Sequence, residues 1–424
     1  MKRIIIILLF LLLSDAVLGQ KRTLIKGGNV HVGDGRVLKG ASVVINGKWI
    51  ELVIADGSLP QGKFDTIIDV SGKEIYPGLM NTNNVLGLHD AEAVRATRDF
   101  SDVGKYNPHN RALIAYNTDN KIVPTIKTNG VLYTQVTPRG GVISGASSIM
   151  ALEGWNWEDA VLLADDGIHI NFPLRPNSTN GADEFKKARQ LYESEVYELE
   201  KLFLEAKAYL SSSSSASVNV RFESMRACIL GSARVYFHVN SAYDIMRAVT
   251  FAKGLQLKFP VIVGGAEAFK VTSFLKENNV PVMLRRVNEL PDRNDDEVAL
   301  SYKLPYLLYK DSVAFCFQLE GDMEAMNSRN LAFNAGTAVG YGLPMEEAIK
   351  SLTYWPARIT GCDKWIGTIQ TGKLASLFIC TGNVLEIMNS EVLAAWIAGN
   401  PVTINNQQSE LYQKYLIKFG LQKQ

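Results

Sequence analysis

Histidine is scarce in this chain. His31, His89, His109, His169 and His238 are spread over 424 residues, and no two stand close enough to form a His-x-His pair. Cysteine is no richer: Cys228, Cys316, Cys362 and Cys380 lie far apart without a Cys-x-x-Cys spacing. That spacing excludes a zinc cluster built on thiolates. In a large chain isolated cysteines read as buried hydrophobes, and no disulfide pairing is assigned. Net charge is missing too. The formal balance is +1, and no run of five Lys or Arg occurs, which gives no electrostatic footing for nucleic acid or an anionic membrane. The glycine-rich stretches match neither G-x-G-x-x-G nor G-x-x-x-x-G-K-[ST], so a nucleotide-cradling loop is not indicated. GVISGASS at 141–148 lacks the G-x-S-x-G spacing of a serine nucleophile elbow and reads as a loop. The apolar run at 4–13 is too short to span a bilayer comfortably.

That run has a different reading. Lys2 and Arg3 precede it and SDAVLGQ follows, the order of a signal peptide cut after Gly19. The expectation is export to an extracytoplasmic location, periplasmic or secreted, with no membrane attachment after removal of residues 1–19. Apolar residues at 47% and charged residues at 21% allow a sizeable core.

After the signal, TLIKGGNVHV, ASVVING and KWIELVI read as short strands between glycine turns, a small β layer over 20–74. From 75 onward the texture changes. VLYTQVT, ARVYFHV, FPVIVGG, VPVMLRR and SVAFCFQL are continuous apolar runs of the kind buried parallel strands show. Helical patterns such as SAYDIMRAVTFAKGL lie between them, which predicts an α/β architecture with a (β/α)8 TIM-type barrel over 75–362. A polar insertion at 176–217 holds one long amphipathic helix and a serine-rich connector. The tryptophans of EGWNWEDA are expected to pack the barrel wall rather than stack a sugar. β character returns at 363–402, and SELYQKYLIKFG reads as a tail helix. The expected whole is a barrel flanked by a small β-sandwich built from both chain ends, 20–74 and 363–424.

IYPGL at 75–79, GGVISGASSIMALEGWNWED, MNSRNLAFNAGTAVGYGLPMEEAIKSLTYWPARITG at 326–361 and the GTIQTGK turn together carry a resemblance. The chain resembles the amidohydrolase superfamily, in its imidazolonepropionase-like branch. The resemblance covers nearly all of the chain beyond the signal. It implies a metal site at the C-terminal ends of the barrel strands and hydrolysis of C–N bonds other than peptide bonds. In such relatives His-x-His follows the PGL turn, two imidazoles pointing the same way because strand side chains alternate. They hold a divalent ion that lowers the pKa of a bound water. Here Asn83 and Val85 occupy those positions, and Asn81 stands where the family has Asp. Gly264 and Gly265 take the place of the sixth-strand ligand, and 216–226, taken as the fourth strand, has no lysine.

His238 fits the fifth-strand ligand position, and Glu320 or Asp322 would be the base near the end of the eighth strand. The resemblance therefore implies a hydrolase heritage with a degraded metal site, no cofactor, and zinc only if the protein is active. Three readings stay open. The chain binds a small amide or peptide-like ligand, or serves as partner subunit of an active relative. Alternatively it hydrolyses with a rearranged or shared site, to which His89, Asp90, Glu92, His238 and Glu320 could converge. The third reading is a structural or interaction protein. Homo-oligomerisation remains open.

Overall fold

The structure is a computed structural model that describes residues 21–55, 57–58, 60–176, 181–212 and 217–421. The expected signal peptide lies outside the described residues, as does most of the serine run. Two eight-stranded sheets organise the chain.

The first sheet draws on both chain ends. β1 (Arg22–His31), β2 (Val37–Asn46), β3 (Trp49–Ile54), β4 (Thr66–Asp69) and β5 (Glu74–Pro77) come from the beginning of the described chain. β14 (Leu377–Cys380), β15 (Val392–Ile397) and β16 (Asn400–Val402) come from the end and join by β14 pairing antiparallel with β5. β1 pairs with β4 through Thr23–Lys26 and with β5 through Asn29 and Val30. The partner changes at bulges around Gly28, where an extra residue bends and twists the strand. Ile25, Val43, Ile45 and Ile75 share one apolar cluster with Leu377, Ile379 and Trp396, so burial as well as hydrogen bonding joins the two ends.

The chain crosses to the second sheet at Gly78. This sheet runs β6 (Leu79–Asn84), β7 (Val131–Val136), β8 (Ile143–Ala151), β9 (Val161–Asn171), β10 (Arg234–Val239), β11 (Pro260–Gly264), β12 (Val282–Leu284) and β13 (Phe315–Phe317) in order. A parallel bridge between Thr82 and Gln318 links the last strand to the first and nearly closes a barrel. The five apolar runs singled out from sequence are β7, β10, β11, β12 and β13.

Four expectations fail here. β8 is antiparallel to both neighbours, so β7, β8 and β9 form a meander instead of strand–helix repeats. The segment read as a loop, ISGASS, is the start of β8, buried throughout. Its small polar residues gave no apolar signal because they are buried through hydrogen bonds, Ser147 to Asp166 and His169 inside the barrel. Likewise 220–224, inside the stretch taken for the fourth strand, is helical; the fourth barrel strand is β9. Trp155 is 93% exposed and packs no wall, whereas Trp157 is partly buried against an apolar cluster that includes Val136 and Met150. The long helix Ala182–Ser211 is present and buries Tyr192, Val196, Leu199, Phe203 and Ala206, a single stripe at helical spacing. The tail helix Gln407–Phe419 buries none of its residues. All four cysteines are buried free thiols.

Candidate active site at the barrel mouth

The ends of β6, β10 and β13 bring Asn83, His238 and Glu320 together. Asn83 sits at φ 48°, a left-handed conformation that asparagine tolerates better than most residues. Its Nδ2 donates to Glu320 Oε2 at 2.8 Å, and its backbone N–H donates to Gln135 Oε1 at 3.0 Å. Nδ1 of His238 lies 3.6 Å from Glu320 Oε2.

The group that organises this cluster is Arg139, which the sequence reading did not single out. It leaves β7 through Thr137 and Pro138 and is followed by Gly140 and Gly141, both with positive φ, which let the loop turn back over the mouth. Its Nη2 donates to both oxygens of Glu324 at 3.0 and 3.1 Å and to the Asn83 carbonyl at 2.9 Å. Its Nη1 donates to Asn83 Oδ1 at 2.8 Å, and Glu320 lies 3.9 Å from its Nε. Burial disfavours a charged guanidinium, but the two carboxylates outweigh it and raise the pKa of Arg139. Burial likewise pushes Glu320 up, yet the Arg139 charge and the contacts of His238 and Asn83 hold it well below the usual carboxylate range. Glu324, only 6% exposed, remains raised, because its deeper burial and the neighbouring Glu320 charge exceed the pull of Arg139.

A second chain of contacts runs down from His238 into the barrel. His238 Nε2 is 2.9 Å from His169 Nδ1, and His169 Nε2 is 2.9 Å from Ser147 Oγ. Ser147 donates to Asp166 Oδ1 at 2.7 Å, and Tyr236 also donates to that carboxyl. With Ser147 committed as donor to Asp166, the network assigns N–H to His169 Nε2 and to His238 Nε2. Burial, then the His238 and Arg139 charges, push the pKa of His169 far down, so it is neutral. Burial pushes Asp166 up to about 6 despite its hydrogen bonds from Tyr236 and Ser147.

The remaining sequence candidates fall as follows. His89 and Glu92 line one cavity of about 220 Å³ with Val85, Arg139, Glu320 and Glu324. His89 is buried there and its Nδ1 has no hydrogen-bond partner among the described residues. Asp90 is exposed and accepts from Asn117, and Asp322 is exposed and outside the cavity lining. Asn81 donates to Ser328 Oγ at 2.6 Å, away from Glu320. Gly264 ends β11 at φ 98° and offers no side chain. Arg139, Glu324, His169, Ser147 and Asp166 were all missed. The available signals were a lone arginine just past a barrel strand, and Asp and His flanking a glycine within an apolar run.

A divalent ion of the kind this fold implies does not fit these residues. His238 Nε2 is committed to His169, its Nδ1 stands 3.6 Å from Glu320, and the guanidinium of Arg139 already stands among the mouth carboxylates. Among the described residues no group of three or more His, Cys, Asp or Glu is placed to hold a metal.

The barrel, with its polar mouth at the strand ends, defines the class as an amidohydrolase-type fold. The particular likenesses are to solved structures. An amidohydrolase from Thermotoga maritima MSB8 matches with TM-score 0.76 at 22% identity, over 90% of this chain and 99% of that one. A Xaa-Pro dipeptidase with bound methionine in its active site matches with TM-score 0.52 at 15% identity, over 90% and 100%. Molinate hydrolase matches with TM-score 0.54 at 12% identity, over 91% and 96%. No family model and no curated protein sequence matches. Likenesses at these identities are likenesses of fold.

Proposed function

We propose that the chain is an exported member of the amidohydrolase superfamily, imidazolonepropionase-like, whose barrel mouth holds Arg139 among its carboxylates in place of a divalent ion. Its terminal sheet is the counterpart of the β-sandwich expected from sequence. In this reading Asn83 and Val85 are the remains of the His-x-His pair, and the protein binds a small amide or dipeptide-like ligand without metal-dependent hydrolysis. It does so alone or beside an active relative. The observation that carries the proposal is the guanidinium of Arg139 bonded to Asn83 and Glu324 and beside Glu320. The carboxylates of Glu92, Glu320 and Glu324 outnumber this one cation around the cavity, so a ligand amino group is the favourable partner. The amidohydrolase and Xaa-Pro dipeptidase structures that the chain is similar to support the amide-like ligand class.

Elemental analysis of the purified protein after dialysis tests the proposal, together with thermal unfolding in the presence and absence of chelator. Substoichiometric metal and an unchanged melting temperature are expected. Near-stoichiometric zinc, manganese or iron with loss of stability on chelation would overturn it, because a bound structural ion contributes directly to folding. That result would favour an active hydrolase with a rearranged site, a reading supported by His89 and Glu320 lining one cavity.

A further inference from the structure

We infer that a groove beside the barrel mouth, between the helix Leu331–Gly340 with its preceding turns and the loop between β14 and β15, binds an extended, uncharged peptide segment. This inference does not rest on the reading of the barrel mouth. The groove encloses about 850 Å³, within the size range of ligand sites. Asn327, Asn330, Asn334 and Thr337 line it at steps of three and four residues, the spacing that puts side chains on one helical face. Asn288, in the loop after β12, adds another amide.

A primary amide offers donors and an acceptor without charge, and so can pair with both the C=O and the N–H of a peptide bond. Of the charged residues in the lining, Arg286 is paired with Glu289 at 2.8 Å, and Glu386 is exposed and accepts from the neutral Asn383 at 3.1 Å. An anionic ligand therefore finds no free cation on Arg286. Asn334 provides the second, independent observation. It is 5% exposed, its Nδ2 is committed to the Asn330 carbonyl at 3.0 Å, and its Oδ1 has no partner among the described residues. Buried acceptors are nearly always satisfied, so an orphan in a groove wall points to a donor supplied from outside.

The opposite wall supplies apolar contact. Ile387 is 72% exposed and Met388 88%, adjacent large side chains left in water, while Phe333 is partly buried on the helix side. Methionine adapts to varied side-chain shapes, which suits peptide rather than a single rigid ligand. Among the described residues the lining holds no exposed Trp or Tyr face of the kind that stacks on sugar rings. Gly336 fixes the loop close to the helix, since a Cβ there would collide with the Leu385 carbonyl oxygen. From Asn327 to Thr337 the helical rise is about 15 Å, the length of about four to five extended residues.

The test uses the full chain with ¹³C-methyl-labelled methionine, the Met388 resonance being assigned with Met388→Leu. End-blocked pentapeptides (N-acetyl, C-amide) composed of Ala, Leu, Val, Ser, Thr and Asn are titrated in pools and then singly. Saturable movement of the Met388 methyl is expected with at least one sequence, with affinity weakened at least about tenfold in Asn330→Ala/Asn334→Leu. Glu320→Gln should leave that affinity unchanged, which separates this groove from the barrel mouth. If the double variant misfolds by circular dichroism, the surface variants Asn327→Ala and Ile387→Ser take its place with the same expected weakening. The inference is overturned if no pool moves the Met388 methyl, if binding survives these substitutions, or if a neutral oligosaccharide such as chitotetraose moves it and the peptides do not.

Discussion

Arg139→Met is the substitution that tests the charge balance of the mouth most directly. Methionine keeps much of the apolar stem, so the loss falls on the guanidinium. Glu324 then loses its bidentate partner while remaining buried, and Asn83 loses donors to both its side-chain and main-chain oxygens. Removing one partner of a buried ion pair costs about 3–5 kcal/mol, because the other charge stays buried without compensation. At about 2 °C per kcal/mol in a large chain, the melting temperature should fall by about 6–10 °C. The deficit should also depend on pH. Glu324 is already raised by burial, and without Arg139 nothing comparable pulls it down. A carboxyl whose pKa is higher in the folded than in the unfolded state stabilises by holding its proton. The deficit should therefore shrink as pH is lowered towards 5 and widen towards 8. Urea unfolding across that range, on Arg139→Met, Glu324→Gln and the double variant, gives the coupling. The double variant should cost less than the sum of the singles by more than about 1 kcal/mol. A single-variant loss below about 1 kcal/mol, a pH-independent loss, or simple additivity would refute the reasoning.

Asp166, raised by burial from the ordinary 3.8 to about 6, holds its proton more tightly when folded, so its contribution to stability declines as pH rises from about 4 to 6. The full difference is about 3 kcal/mol, and Asp166→Asn should remove that part of the slope; an unchanged slope would show that the carboxyl is not held neutral. His238→Ala takes the donor from His169 Nδ1 and a contact from Glu320, and should cost about 1–3 kcal/mol with no added sensitivity to chelator. Chelator-dependent unfolding of the wild type that the variant lacks would contradict the proposal of a metal-free mouth. His31 bridges Glu74 at 3.0 Å and Glu346 at 2.8 Å, tying the terminal sheet to the helix Met345–Leu352. His31→Ala should cost about 1–3 kcal/mol and weaken amide-exchange protection along β5, and unaltered protection there would remove the clamp argument.

The barrel was legible in the sequence wherever its strands are predominantly apolar runs. β7, β10, β11, β12 and β13 announced themselves as Val-, Ile- and Phe-rich runs, and the stripe on Ala182–Ser211 announced a surface helix. The proposal that Asn83 and Val85 stand where relatives carry histidine also came from sequence, since it depends only on which residues follow the PGL turn. β8 was not legible, because Ser144, Ser147 and Ser148 are buried through hydrogen bonds rather than by being apolar, Ser147 to Asp166 and His169 in the barrel interior. Nor were the partners that decide the chemistry. Arg139 and Glu324 are 185 residues apart, Asn83 and Glu320 are 237 apart, and no local pattern encodes pairs at such separations. The sequence by itself determined which side chains were available and which periodicities could be buried. Only the tertiary structure decided that a guanidinium would stand among the mouth carboxylates, because closing the barrel brings the ends of distant strands within hydrogen-bond reach.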